Sequence, residues 1–152
     1  MDINSKLIDK GIELADAPPP AANYIPYVKT DKLIFISGQV SQNENGFIKG
    51  VLGSDLSVEE GYDAARQCAI SLLAQLKNAV NGDLNKVAKV VKLGGFVNSA
   101  PDFTEQPSVI NGASDLFVDL FGEKGRHART AVGANLPLGV AVEIDGIFEV
   151  ES

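Results

Sequence analysis

The residues best suited to chemistry lie close together in one segment, residues 126–150. Arg129 stands before a turn, and an alternating run follows in which one parity is apolar and the other carries Glu143, Asp145 and Glu149. Successive side chains of a strand point to opposite faces, so this alternation predicts a strand with one buried face. If it pairs as a hairpin with the strand that carries Arg129, a guanidinium and several carboxylates share one neighbourhood.

Such a neighbourhood has two interpretations. A planar guanidinium binds a carboxylate through two parallel hydrogen bonds, and a nearby carboxylate can move protons or orient water, which together suit a small-molecule site. Opposite charges on paired strands also form simple surface ladders with no further role. The pattern alone leaves both interpretations open.

Composition restricts the class of protein. The 152 residues suit one domain, and 45% of them are hydrophobic, enough for a sizeable core. No apolar run approaches the roughly 18 residues that a membrane span needs. The first residues are polar and lack a signal-peptide pattern, and the single cysteine, Cys68, excludes an intrachain disulfide. These features favour a cytoplasmic protein without a membrane partner.

Charge argues against nucleic acid as a partner. The net charge is −7, with 20 acidic against 13 basic residues, whereas nucleic-acid binding needs basic surface to neutralise phosphates. One histidine, His127, cannot make a site of several histidines, and Cys68 alone cannot make a thiolate cluster. We therefore expect no metal.

Periodicity predicts an order of elements that is summarised as ββαβαββ. A continuous apolar run predicts a strand at residues 33–36, and Asn45-Gly46 is a hairpin signal. Ser57 and Glu60 form a capping-box pattern at the start of the most secure helix. The predicted helices are residues 3–15, 57–80 and 107–121, and a further strand is residues 87–97.

These elements predict an α+β domain over residues 1–152, with residues 1–20 as an N-terminal helical extension. The simplest arrangement places two helices on one face of a mixed sheet. Because the strands are apolar, the second face must also be covered, and self-association is the natural way to cover it. The prolines at 18–20 predict an extended connector over residues 17–22.

Several segments resemble the RidA/YjgF family, also called the L-PSP endoribonuclease or translation-inhibitor family. They occur in the family's order and cover nearly all of the chain after about residue 21. One stretch, between Arg129 and Pro137, is one residue shorter than in the typical family pattern. The segments are IPYVK (25–29), LIFISGQV (33–40), VVKLGGFVNSAPDF (90–103), and ARTAV, LP and VAVEIDGIFEV within 128–150.

The resemblance implies a chorismate-mutase-like fold, assembled as a homotrimer with sites in clefts between subunits. It also implies an enamine/imine deaminase, which hydrolyses reactive intermediates such as 2-aminoacrylate to a 2-keto acid and ammonium without cofactor or metal. In that activity Arg129 would hold the substrate carboxylate, and Glu143 would orient water and move protons. The substrate-binding positions that match the family are Tyr27, Ser37, Gly38 and Asn111, together with Arg129.

Each assignment has a structural alternative. Tyr27 could be an interface aromatic, and Asn111 could bond only to backbone. Arg126 and His127 would more simply join surface salt bridges than line a pocket. Ala131 stands where the family often carries a cysteine, which excludes thiol chemistry there.

Three functions of different classes follow. The first is the deaminase, and the second is a non-catalytic module that binds small carboxylates through the same arginine. The third is the ribonuclease or translation inhibitor of the older family name, which the acidic charge and the single histidine oppose. The retained carboxylate Glu143 favours the first function over the second.

Overall fold

The computed structural model describes residues 2–17 and 23–151, in which three α-helices pack with a five-stranded mixed sheet and a short two-stranded ribbon. The helices are α1 (Ile3–Asp9), α2 (Val58–Ala79) and α3 (Gln106–Phe121). The strands are β1 (Tyr27–Thr30), β2 (Leu33–Val40), β3 (Gln42–Asn43), β4 (Gly46–Phe47), β5 (Val87–Val97), β6 (Ala128–Gly133) and β7 (Val142–Val150). This is the predicted α+β class, and the order α2-β5-α3-β6-β7 is as predicted. Four strands, rather than the predicted two, precede α2.

The two long helices confirm their predictions because local signals and packing agree. Ser57 accepts a hydrogen bond from the Glu60 backbone while the Glu60 side chain bonds back to the Ser57 backbone, which completes the capping box of α2. One face of α2 is buried over its whole length, as its apolar periodicity requires. Helix α3 ends at Gly122, whose positive φ of 62° is favourable for glycine.

The N-terminal helix is shorter than predicted. Helix α1 ends at Asp9 rather than continuing to residue 15, because Gly11 turns the chain with a φ of +69°. The helix is held against the rest of the domain: Lys6 Nζ donates to the Leu120 carbonyl at 2.9 Å, and the Ile3 backbone N–H donates to Asn85 Oδ1 at 3.0 Å. Residues 18–22 of the predicted connector lie outside the described residues.

The sheet has the order β1-β2-β7-β5-β6. All neighbouring pairs are antiparallel except β5 and β6, which are parallel. Strand β6 is therefore one edge and β1 the other. The Asn45-Gly46 signal is confirmed, since β3 and β4 pair across that turn.

The predicted hairpin between the last two strands is wrong. Strand β5 lies between β6 and β7, with Arg129 paired to Leu93 and Gly146 paired to Leu93 from the other side. The reason is the helix that connects β5 to β6: a strand–helix–strand crossover pairs its two strands in parallel. The free side of β5 then accepts β7, so the chain passes from β6 across the sheet end through a 3₁₀ turn at Pro137–Gly139.

Alternate residues of the strands separate two faces of the sheet. The buried face carries side chains such as Leu93, Ile144 and Phe148, all without solvent exposure. The open face carries Phe35, Lys92, Phe96, Asp145 and Ile147, which line one shallow cavity. Helix α2 contacts β2 and β7, and helix α3 contacts β5 and β6.

Candidate active site

Arg129 lies on the edge strand β6, where helix α3 meets the sheet. It is paired with the buried Leu93, so its side chain projects on the buried-face side, towards α3. Its Nη1 donates to Asn111 Oδ1 at 2.8 Å and to Ser114 Oγ at 3.1 Å. The alternative that Asn111 bonds only to backbone is therefore wrong, because its amide oxygen accepts from the predicted ligand-binding cation.

The guanidinium of Arg129 keeps its charge available. Among residues 2–17 and 23–151, no carboxylate lies within 4.0 Å of its nitrogens, and its partners are a neutral amide and a hydroxyl. Arg126, three residues earlier, instead pairs with Glu123 at 3.8 Å on the surface, as predicted. Neutral partners orient a guanidinium without neutralising it, which leaves Arg129 able to bind an anion.

Glu143 lies on β7, between Val40 of β2 and Phe96 of β5. Its carboxylate occupies a notch made by Gly38: a Cβ at residue 38 would stand 2.2 Å from Glu143 Oε2. Burial raises the pKa of the Glu143 carboxyl, and the neighbouring charge of Asp145 raises it further. Of the predicted site residues, Gly38 and Glu143 are thus brought into contact.

Asp145 repeats this arrangement two residues further along β7. A Cβ at Gly94 would stand 2.4 Å from Asp145 Oδ1, so a second glycine makes room for a second carboxylate. Burial raises the pKa of Asp145, while the Gly94 backbone N–H and the charge of Lys92 oppose the rise. The open face therefore carries two carboxylates, Glu143 partly buried and Asp145 exposed, each above a glycine.

Tyr27 and Ser37 lie beside the Glu143 end of the sheet. Tyr27 begins β1 opposite Ile36 and is partly buried against the core. The Ser37 hydroxyl donates to the Ile25 carbonyl at 3.0 Å, which ties the entry of β1 to the bulge that follows Ile36 in β2. Ser37 directly precedes Gly38, so its hydrogen bond helps to hold the backbone from which Gly38 faces Glu143.

The six predicted site residues thus form two groups that do not meet within one chain. Arg129 and Asn111 lie beside α3 at the β6 edge, on the side of the buried face. Glu143 lies three residues along β7 from Gly146, the residue opposite Leu93, and its side chain is on the open face. The body of the sheet separates the cation from the carboxylate.

Two further polar residues, not among the predicted site residues, join the arginine group. Ser114 Oγ lies 2.8 Å from His127 Nε2, and His127 Nδ1 lies 2.6 Å from the Gly125 carbonyl. Ser114 stands three residues after Asn111, one helical turn away, and this spacing was the signal that could have identified it. His127 is in no salt bridge within the described residues, contrary to the surface-pair prediction.

Other chemistries find no support in the described residues. Cys68 is buried in the core, as predicted, and burial raises the pKa of its thiol well above the usual value. No group of three or more His, Cys, Asp or Glu side chains in that part of the chain could hold a metal ion. None of its helices is both long and apolar enough to cross a membrane.

Comparison with known proteins shows the family to which the chain belongs. Residues 4–142 match the model of the family described as "YjgF/chorismate mutase-like, putative endoribonuclease". The chain belongs to this family, which confirms the resemblance found in its sequence. The chorismate-mutase-like α+β fold with a mixed sheet is likewise confirmed.

Particular relatives are similar over nearly their whole length. Protein TCP17 of Trypanosoma cruzi is 50% identical over 145 residues, which are 93% of this chain and 90% of TCP17. A crystal structure of a protein of unknown function from Agrobacterium tumefaciens is 44% identical with a TM-score of 0.91, covering 98% of this chain and 92% of that one. The "putative endoribonuclease" of Shewanella oneidensis is 32% identical with a TM-score of 0.94, covering 99% and 100%.

Proposed function

We propose that this protein is an enamine/imine deaminase whose sites form between copies of a homotrimer. The observation that carries the proposal is the Arg129 guanidinium, which two neutral side chains orient and, in the described residues, no carboxylate neutralises. The substrates would be small imines of 2-keto acids, such as the tautomer of 2-aminoacrylate. Their carboxylate would bind Arg129 through two parallel hydrogen bonds.

Hydrolysis of such an imine needs only water and proton transfer. Water adds to the carbon of the C=N bond, the nitrogen takes up protons, and the C–N bond breaks to give the keto acid and ammonium. Glu143 suits the proton transfers because burial, and then the charge of Asp145, raise the pKa of its carboxyl, which makes it a better proton acceptor than an ordinary glutamate. This role requires neither cofactor nor metal.

The two groups of site residues are the reason to place the site between copies. Arg129 and Glu143 lie on opposite faces of one sheet, so they can act on one substrate only if two chains contribute. The open face suits contact with another copy because it exposes apolar side chains, with Val28 at 48%, Phe35 at 40% and Val132 at 40% exposure. We take both long helices to lie on the buried face, which leaves the open face and the β6 edge for the partner subunits.

The test compares two arginines three residues apart. Arg129→Ala should weaken the binding of pyruvate or 2-oxobutyrate and should lower ammonium release from freshly generated 2-aminoacrylate. Losing a charge-assisted bidentate contact costs about 2–4 kcal/mol. Arg126→Ala is the matched control and should behave as wild type, because Arg126 pairs on the surface with the exposed Glu123. Light scattering of both variants should give about three times 16.0 kDa, so that lost activity is not lost assembly.

Two results would contradict the proposal. Equal keto-acid affinity in wild type and Arg129→Ala would make the arginine structural. A wild-type protein that releases ammonium no faster than the spontaneous reaction would not be a deaminase for that substrate.

A second candidate function is a module that binds small carboxylates without turnover. The observation that favours it is that the arginine group is complete within one chain, whereas Glu143 is remote from it. Keto-acid binding without deamination would establish it. A ribonuclease, as the family description suggests, is opposed by the net charge of −7, and incubation with single-stranded RNA tests it directly.

A further inference from the structure

Ser114 and His127 continue the hydrogen bonds of Arg129 away from the site. Ser114 Oγ lies 3.1 Å from Arg129 Nη1 and 2.8 Å from His127 Nε2, so the hydroxyl stands between the guanidinium and the imidazole. His127 Nδ1 lies 2.6 Å from the Gly125 carbonyl, where the chain leaves a 3₁₀ turn before β6. Four groups thus follow one another in a single line.

The chemistry of these four groups fixes which is donor and which is acceptor in each hydrogen bond. A carbonyl oxygen can only accept, so the hydrogen of the neutral imidazole is on Nδ1, which donates to Gly125. The bare Nε2 then accepts from the Ser114 O–H, and the Ser114 lone pairs are left to accept from Arg129. Burial, opposed by the Gly125 hydrogen bond but reinforced by the charges of Arg129 and Lys89, lowers the pKa of His127, which favours this neutral form.

The far end of the line is fixed by packing. The imidazole lies edge-on to Phe117, with ring centroids 6.5 Å apart and planes at 78°. Gly125 is buried so closely against α3 that a Cβ there would stand 2.3 Å from the Phe117 carbonyl oxygen. The acceptor of the line therefore cannot shift away from α3 without unpacking this contact.

We propose that Ser114 and His127 are positioning residues that hold the Arg129 guanidinium in the orientation that binds a carboxylate ligand. The proposal rests on the proposed function in one respect, that the ligand of Arg129 is a small carboxylate. Asn111 and Ser114 both accept from Nη1, so together they fix the rotation of a long side chain that would otherwise sample many rotamers. Ordering the arginine before the ligand arrives lowers the entropic cost of binding.

The experiment measures keto-acid affinity by calorimetry and the mobility of Arg129 by side-chain NMR of the ligand-free trimer. Ser114→Ala and His127→Phe should each weaken pyruvate binding roughly 3- to 10-fold, the range for ordering one long side chain. Ser114→Thr keeps the hydroxyl and should restore most of the affinity. Ser108→Ala is the matched control on the same helix, since the Ser108 hydroxyl has no hydrogen bond among the described residues.

The double variant Arg129→Ala/Ser114→Ala distinguishes a positioning role of Ser114 from a purely structural one. In an Arg129→Ala background, Ser114→Ala should change nothing further, because a positioning residue acts only through the arginine. A loss of the same size in that background, or wild-type affinity in both single variants, would overturn the proposal. Thermal unfolding of every variant keeps lost stability apart from lost affinity.

The NMR arm decides the case in which wild type binds no keto acid, which would refute the proposed function alone. In wild type the Arg129 N–H signals should be sharp and separate, because rotation of the guanidinium is restrained. They should merge or broaden in Ser114→Ala and His127→Phe and stay sharp in Ser108→Ala. Identical Arg129 signals in wild type, Ser114→Ala and His127→Phe would overturn the positioning proposal whatever the ligand is.

Discussion

The Arg129 end and the Glu143 end of the sheet hold their charged groups by different means. Hydrogen bonds hold the arginine, from an amide and a hydroxyl on α3 that accept its N–H groups. Shape holds the glutamate, whose carboxylate lies where Gly38 has no side chain. The first arrangement leaves the Arg129 guanidinium charged and fixes its orientation. The second raises the pKa of Glu143 because its carboxyl is partly removed from water.

This difference suits two tasks. Binding a carboxylate requires a permanent cation at a fixed angle, and arginine provides it at any physiological pH. Moving a proton requires a group that can change charge, and burial together with the charge of Asp145 raises the pKa of the Glu143 carboxyl, which makes it a better proton acceptor than an ordinary glutamate. Because the two ends lie on opposite faces of one chain, the comparison also predicts that neither end is sufficient alone.

The largest expected effect comes from an assembly in which one chain supplies the intact Arg129 and another chain supplies the intact Glu143. Arg129→Ala should lose substrate binding, and Glu143→Gln should keep binding but lose about 10²–10⁴-fold in rate. When equal amounts of the two variants are unfolded and refolded together, some interfaces pair an intact Arg129 with an intact Glu143. Random assembly places such pairs at about a quarter of the sites, so activity should return to about that fraction of wild type.

Refolding each variant separately and then mixing the samples provides the control, since subunits that do not exchange cannot complement. Activity that fails to return after joint refolding, although native mass spectrometry shows assemblies that contain both variants, would mean that both residues act within one chain. A Glu143→Gln protein with the wild-type rate would instead make the carboxylate structural.

A smaller effect is expected from filling the notch under Glu143. Gly38→Ala places a Cβ about where the carboxylate now lies, at 2.2 Å from Oε2, so the side chain must move. We expect kcat to fall by roughly 10- to 100-fold, since displacement of a catalytic group by about an ångström has that scale of effect. Pyruvate affinity, which depends on the Arg129 end, should change little.

Gly94→Ala is the matched control, because it creates the same kind of clash under Asp145, at 2.4 Å from Oδ1. If both alanine variants lose activity equally, the loss reflects distortion of the sheet rather than the position of Glu143. If Gly38→Ala instead weakens pyruvate binding and leaves kcat unchanged, the two ends are not independent.

The sequence predicted the bounds of the helices and strands better than it predicted which strands pair with each other. The capping box at Ser57 and the glycine at 122 are local signals, and they placed α2 and α3 within one residue at each end. Strand β5 was placed without error at residues 87–97. Pairing is not local, and adjacency in sequence suggested a hairpin where the crossover through α3 produced a parallel pair.

The same distinction applies to the site. Arg129, Asn111, Gly38 and Glu143 followed from a resemblance, and the structure brings them into two contacts. These residues lie on opposite faces of the sheet because β5 stands between β6 and β7. No local sequence pattern predicts that strand order. Ser114 and His127 were missed because a serine on a helix and a histidine before a strand have no meaning until β6 is placed beside α3.

The smallest effect tests the electrostatic half of the comparison. Glu143 must be ionised to accept a proton, so the deaminase rate should rise with pH along an acid limb whose midpoint lies above the usual range for a glutamate. Asp145 contributes to that rise through its negative charge, as a second cause after burial. Asp145→Asn removes the charge at nearly constant size, so ionising Glu143 becomes easier and the midpoint should move to lower pH. The shift should be under about one pH unit, because burial remains.

Glu149→Gln is the control. Glu149 lies on the same face of β7 but is not among the groups that raise the pKa of Glu143, so the pH profile of this variant should match wild type. A midpoint that moves to higher pH in Asp145→Asn, or does not move at all, would show that the group that titrates in the rate is not Glu143.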